Sequence, residues 1–160
     1  MHEQLKLDNQ LCFRLYTASR LVTQAYRPLL EPLGLTYPQY IVLLVLWERD
    51  NLLVSDIAHR LMLDTNTVTP LLQRMERDGL LVRTRGIVDG RQTLVSLTAK
   101  GKHLEEKAKE VPACLIDNLH YNESNIEQFQ VMKESLDTLI MSIKENNENN
   151  QKKIEYPHLP

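Results

Sequence analysis

LVSDIAHRLMLDTNTVTPLLQRMERDGLLVRTRGIVDGRQTLVSLTAKG, from Leu53 to Gly101, is the stretch on which the fold turns. Ser55 can cap a short helix, SDIAHRLM, whose Ile57, Ala58 and Leu61 fall on one side. Met62 to Asp64 make a turn. Asp64 or Thr65 then caps a second helix, Asn66 to Asp78, and Gly79 ends it with the left-handed backbone that glycine tolerates. Val68, Leu71, Leu72 and Met75 form the inward stripe of that helix, leaving Thr65, Asn66, Thr67, Thr69, Gln73, Arg74 and Arg77 outside. Leu80 to Arg85 and Gln92 to Leu97 alternate apolar with polar, as strands with one buried face do, and the GIVDGR between them has the glycines of a projecting hairpin.

Helix, turn, helix and two strands around a charged loop is the order of a winged helix-turn-helix, whose second helix enters the DNA major groove. Short side chains at Asp64, Thr65, Asn66, Thr67 and Thr69 let such a helix approach closely, while Gln73, Arg74 and Arg77 have the length to reach bases or phosphates. Arg91 at the hairpin tip suits a neighbouring minor groove, and Asp89 can fix the loop by pairing with an arginine. Charge agrees. The 160 residues carry a net −2, yet Arg60 to Lys102 holds eight basic and four acidic residues, a local excess of four on an otherwise acidic body.

Upstream, Leu11, Leu15, Ala18, Val22, Ala25 and Leu29 mark one face of a helix from Asp8 to about Leu30, which Pro28 should kink or end. Thr36 with Gln39 three residues on forms a capping box, and YIVLLVLWE behind it is apolar on nearly every side, as a central core helix is. Downstream, Thr98 caps a helix carrying Leu104, Ala108, Val111 and Leu115 and interrupted by Pro112. Ser124 and Glu127 open a last helix with Ile126, Phe129, Met132, Leu136, Ile140 and Ile143 on one side. Such a stripe needs a cover, which makes the first and the two terminal helices a dimer interface.

The expected fold is mainly α with a small β-wing, in one domain over 1–145: dimerisation helices at 5–34 and 98–145, a DNA-binding lobe at 36–97, and a polar flexible tail at 146–160. With 42% apolar and 6% aromatic residues the chain can bury one core. No apolar run is long enough for a membrane span and no signal peptide opens it, which places it in the cytoplasm, with no membrane partner. Cys12 and Cys114 stand in no CxxC or Cys/His cluster, and the five histidines are scattered, so no metal or cofactor is expected.

DTNTVTPLLQRME at 64–76, Asp89-Gly90-Arg91 followed by Leu97-Thr98, and TYPQYIVLLVLWE at 36–48 resemble the MarR family of winged-helix regulators. LCFRLYTASR and TYPQY are similar, more narrowly, to its organic-hydroperoxide-sensing branch. The resemblance covers about residues 5–145. It implies a non-enzymatic homodimer, usually a repressor, that binds a pseudo-palindromic double-stranded operator. It also implies that Cys12 is the reactive cysteine, that Tyr26 and Tyr37 hydrogen-bond its sulfur from the partner subunit, and that Tyr16 is a supporting tyrosine. Cys114 matches the second cysteine of two-cysteine members.

The chemistry fits a sensor. Only a thiolate attacks a peroxide O–O bond, and an unperturbed cysteine is mostly protonated near neutrality; a place near a helix start and donating phenols both favour the anion. A sulfenic acid so formed condenses with a nearby thiol, which the resemblance implies is Cys114 of the other subunit. Other readings are two bland buried thiols, a MarR-type repressor released by a small phenolic ligand, a thiol peroxidase, and a winged-helix protein-interaction module. Against the peroxidase, the chain lacks the alternating strands and helices of a thioredoxin-like domain.

Overall fold

The computed structural model describes residues 2–86, 92–118 and 126–154. They divide into two compact units, Met1–Ile116 and Asp117–Pro160.

In the first unit, two 3-10 turns lead into α1, Leu11–Leu30. Pro28 lies in the last turn of α1, so the helix does not end at it but runs on to Leu30. A further 3-10 turn and Gly34, at φ 68°, redirect the chain. The helix α2, Tyr37–Glu48, begins with the capping box read from the sequence: Gln39 Oε1 accepts the Thr36 N–H at 2.9 Å. Val42, Leu43 and Leu46 have no exposed surface, so α2 is the core helix its composition indicates.

A strand that the sequence reading lacks follows. The strand β1, Leu52–Leu53, is too short to display alternation, and only its pairing with a distant segment reveals it. It runs directly into α3, Val54–Leu61, so the N-cap is Leu53 and Ser55 lies in the first turn; the expected serine cap is absent because the strand fixes where the helix starts. Met62, at φ 53°, makes the turn into α4, Thr65–Arg77. Asp64 caps α4 with its backbone, its carbonyl accepting from Thr67 and Val68 at 2.9 and 3.1 Å, while its side chain makes no cap bond. Val68, Leu71, Leu72 and Met75 are buried as the stripe requires, and Gly79 closes the helix at φ 72°.

The strands β2, Leu81–Arg85, and β3, Thr93–Leu97, pair antiparallel, giving the sheet order β1-β3-β2. The helix α5, Ala99–Ala108, is capped by Thr98, whose Oγ1 accepts the Gly101 N–H at 3.1 Å and donates to the Gly79 carbonyl at 2.7 Å. Gly101 is obligatory here, since a Cβ would overlap the Leu80 carbonyl oxygen. The interruption expected at Pro112 is present: α5 stops at Ala108 and a separate helix, α6, Val111–Asn118, starts with Pro112 in its first turn, where its missing N–H has no helical partner to lose. Leu104, Ala108, Val111 and Leu115 are all buried.

The second unit contains α7, Ile126–Ile154. It continues ten residues beyond Lys144 into the stretch expected to be a flexible tail. Phe129, Val131, Met132, Ile140, Met141 and Ile143 are exposed on it. The expected Ser124 cap, like the wing tip with Asp89 and Arg91, lies outside the described residues. No single described helix is long and apolar enough to cross a membrane.

Candidate nucleic-acid interface and thiol site

Burial of Val68, Leu71, Leu72 and Met75 against the core turns the opposite face of α4 outward. Asp64, Thr65, Asn66, Thr67, Gln73, Arg74 and Arg77 are exposed there. Thr69 is half-buried and spends its hydroxyl on the Thr65 carbonyl, at 2.7 Å, so it helps hold the first turn of the helix. A cleft of about 350 Å³ separates Thr65 and Thr69 from Arg83, Gln92 and Thr93 of the wing strands.

The basic excess counted along the sequence is partly consumed by the fold. Arg60 pairs with Glu48, Arg83 with Glu76 at 2.8 Å and Lys102 with Asp50 at 3.2 Å, while Lys100 donates to the Asp78 carbonyl at 2.7 Å. Arg74, Arg77 and Arg85 have no partner among the described residues. Arg85 escaped the sequence reading. It lies on the same strand as Arg83, two residues on, and the Glu76 that occupies Arg83 leaves Arg85 exposed at the root of the wing.

Cys12 and Tyr26 fall toward opposite ends of α1. Cys12, second residue of the helix, is exposed, and Tyr16 one turn on is exposed too. Tyr26, at the other end, meets Tyr37 and Tyr40 of α2, with ring centroids 4.9 and 5.7 Å away. Burial first, and the neighbouring Tyr37 second, hold the Tyr26 phenol above its ordinary pKa, so it remains an O–H donor. Fourteen helical residues separate Cys12 from Tyr26, about 21 Å along the axis. Within one chain the two cannot touch. Cys114 is exposed on α6 between the buried Val111 and Leu115, so neither thiol is buried within its own chain.

The sequence pattern of the transcriptional regulator SarA/Rot group matches residues 24–108, the span from the middle of α1 to the end of α5. An organic hydroperoxide resistance transcriptional regulator of Bacillus subtilis is 43% identical over 145 residues, covering 91% of this chain and 97% of that protein. The chain belongs to the winged-helix transcriptional regulators of the MarR/SarA type. The MarR-type resemblance read from the motifs at 36–48 and 64–76 is thereby upheld, and the group is one of regulators rather than enzymes.

Solved structures agree with this placement of the regulator. Reduced AbfR bound to DNA is 38% identical with a TM-score of 0.69, across 87% of this chain and 98% of that one; AbfR is a protein of Staphylococcus epidermidis. AbfR with its disulfide formed is 35% identical with a TM-score of 0.64, across 89% and 95%. The regulator's residues thus sort into an exposed face on α4, an exposed Arg85 on β2, a tyrosine cluster at the α1–α2 junction, and two exposed thiols, Cys12 far along α1 from that cluster and Cys114 on α6.

Proposed function

We propose that the regulator binds a pseudo-palindromic DNA operator in the cytoplasm as a homodimer when reduced, acting as a repressor, and is released when an organic hydroperoxide oxidises Cys12. The observation that carries the reading is the separation of Cys12 from Tyr26 and Tyr37: phenols that are to donate to this sulfur must come from a second copy. Exposed apolar side chains on α1 (Leu11, Leu21, Val22) and on α7 (Phe129, Met132, Ile140) supply surface for that association. Arg74, Arg77 and Arg85, with Asp64 to Thr67 and Gln73 on α4, are the residues we assign to DNA, joined by Arg91 and Asp89 of the wing tip.

The thiolate of Cys12 attacks one peroxide oxygen; the S–O bond forms, the O–O bond breaks, and the alcohol leaves after taking a proton. The sulfenic acid then reacts with the Cys114 thiol of the partner, forming the disulfide and releasing water. Sulfurs must close to about 2.05 Å, so helices carrying two exposed cysteines have to move. That motion alters the spacing of two α4 helices, which must stay about one DNA turn, or 34 Å, apart. AbfR, a similar chain, has been solved reduced on DNA, overoxidised on DNA and with its disulfide formed, which supports a disulfide as an accessible state of such a regulator. In a mobility shift on DNA from upstream of its own gene, cumene hydroperoxide should release the parent and leave Cys12→Ser bound. Equal release of the two removes the sensor assignment.

A further inference from the structure

Gln39, third residue of α2, is the one buried polar side chain among the described residues. A buried amide persists where its donors and acceptor are satisfied. Its Oε1 accepts from the Thr36 N–H at 2.9 Å and hydroxyl at 3.1 Å, and its Nε2 donates to Asp78 Oδ2 at 3.0 Å. Asp78 is the C-cap of α4, and its carbonyl holds Lys100 of α5.

The same first turn of α2 has a second set of neighbours. Tyr37 and Tyr40, on either side of Gln39 in sequence, press on the Tyr26 ring of α1. One turn of helix therefore faces the tyrosine cluster on one side and, through a single amide, the end of the DNA-facing helix on the other. A cleft of about 510 Å³ runs along this junction, with Thr36 and Pro38 on one wall and the unpartnered Arg74 and Arg77 on the other.

We propose that Gln39 is a positioning residue: it carries a displacement at Tyr26, Tyr37 and Tyr40 into the tilt of α4, and so into where Arg74 and Arg77 meet DNA. This rests on the thiol-switch reading above. Apolar side chains can slide over one another with little change in energy, but a buried hydrogen bond is directional. If α2 shifts and α4 does not follow, the buried Gln39 amide is left with an unpaired N–H where water has little access, while the exposed Asp78 carboxylate returns to solvent. Following is the less costly response. Asp78 then drags the last turn of α4, which holds both arginines.

The test uses full-length protein and DNA from upstream of its own gene, comparing affinity before and after cumene hydroperoxide. In the parent the reduced form should bind more tightly by a coupling factor in the usual range of about 5–150. Gln39→Met, which keeps the volume and loses both the donor to Asp78 and the acceptor for Thr36, and Asp78→Ala, which loses only the contact to Gln39, should each cut that factor about tenfold, and the double variant no further. Asp78→Asn retains an acceptor oxygen and should keep the parent's factor. A purely structural role would weaken both forms alike and leave the factor unchanged. Factors within about twofold of the parent in Gln39→Met and Asp78→Ala, with Cys12→Ser unresponsive, overturn the positioning role and spare the sensor. Release of Cys12→Ser as readily as the parent removes the sensor, and the positioning role with it.

Discussion

The carboxylate of Glu76 on α4 is gripped twice by Arg83 on β2: the backbone N–H of Arg83 donates to Oε1 at 2.8 Å and its guanidinium Nε to Oε2 at 2.9 Å. One side chain near the end of α4 is thereby locked to β2. Truncating Glu76→Ala should cost about 1–2 kcal/mol, the scale of charge-assisted bonds in a half-exposed place. It should also loosen wing against helix, so urea unfolding would show a lower midpoint with an unchanged m-value, and DNA affinity would fall at every salt concentration.

Acid should find the same joint. The Arg83 backbone and guanidinium hydrogen bonds pull Glu76 below the ordinary 4.5. Partial burial works against the charge of Asp50, but hydrogen bonds from the Leu97 and Asn51 N–H groups and from Lys102 outweigh it and hold Asp50 below the ordinary 3.8. Both folded values are depressed, so both contributions are present above the unfolded values and are lost as pH falls through the folded ones. Stability should drop as pH is lowered from about 4.5, and Glu76→Gln with Asp50→Asn should flatten that limb; an unaltered slope would remove these two groups from the acid response.

Gly101 faces the Leu80 carbonyl with no room for a side chain. Gly101→Ala forces α5 away from the start of β2 and should destabilise by about 1–3 kcal/mol, the range for an overpacked site. Differential scanning calorimetry would register it as a lowered Tm.

Cys114 is exposed and 102 positions from Cys12. With hydroperoxide the parent should run as a covalent dimer on a non-reducing gel and return to monomer with thiol. Cys114→Ser should give no such dimer; its continued formation would rule out this pair of sulfurs.

Arg74 and Arg85 lack protein partners among the described residues, whereas Arg83 has one. Arg74→Ala and Arg85→Ala should each weaken DNA binding and reduce the slope of log affinity against log salt by about one for each phosphate no longer neutralised. Arg83→Ala should act mainly on stability. Identical salt slopes for parent and both variants would take these arginines off the DNA.

Periodicity and capping chemistry alone located most elements, because those signals are local. The Thr36–Gln39 box, the stripe Val68, Leu71, Leu72 and Met75, the left-handed Gly79 and the Thr98 cap each stand where a few neighbouring residues dictate. Motif order made the winged helix-turn-helix legible in the same way. What failed was non-local or context-bound: β1 exists only through its pairing with β3, Ser55 lost its cap to that strand, and α7 outran the polar tail.

The candidate site divides along the same line. Sequence named the outward residues of α4 and the two thiols, since a helical face and a residue type can be read in one dimension. Tertiary structure decided which cations remain free once Glu48, Glu76, Asp50 and the Asp78 carbonyl have taken theirs, and so brought Arg85 forward. It also joined Tyr26 to Tyr37 while setting Cys12 at the far end of the same helix, and linked Gln39 to Asp78 across 39 positions. Charge pairing and burial depend on distances in space, and spacing along the chain fixes those only within an element.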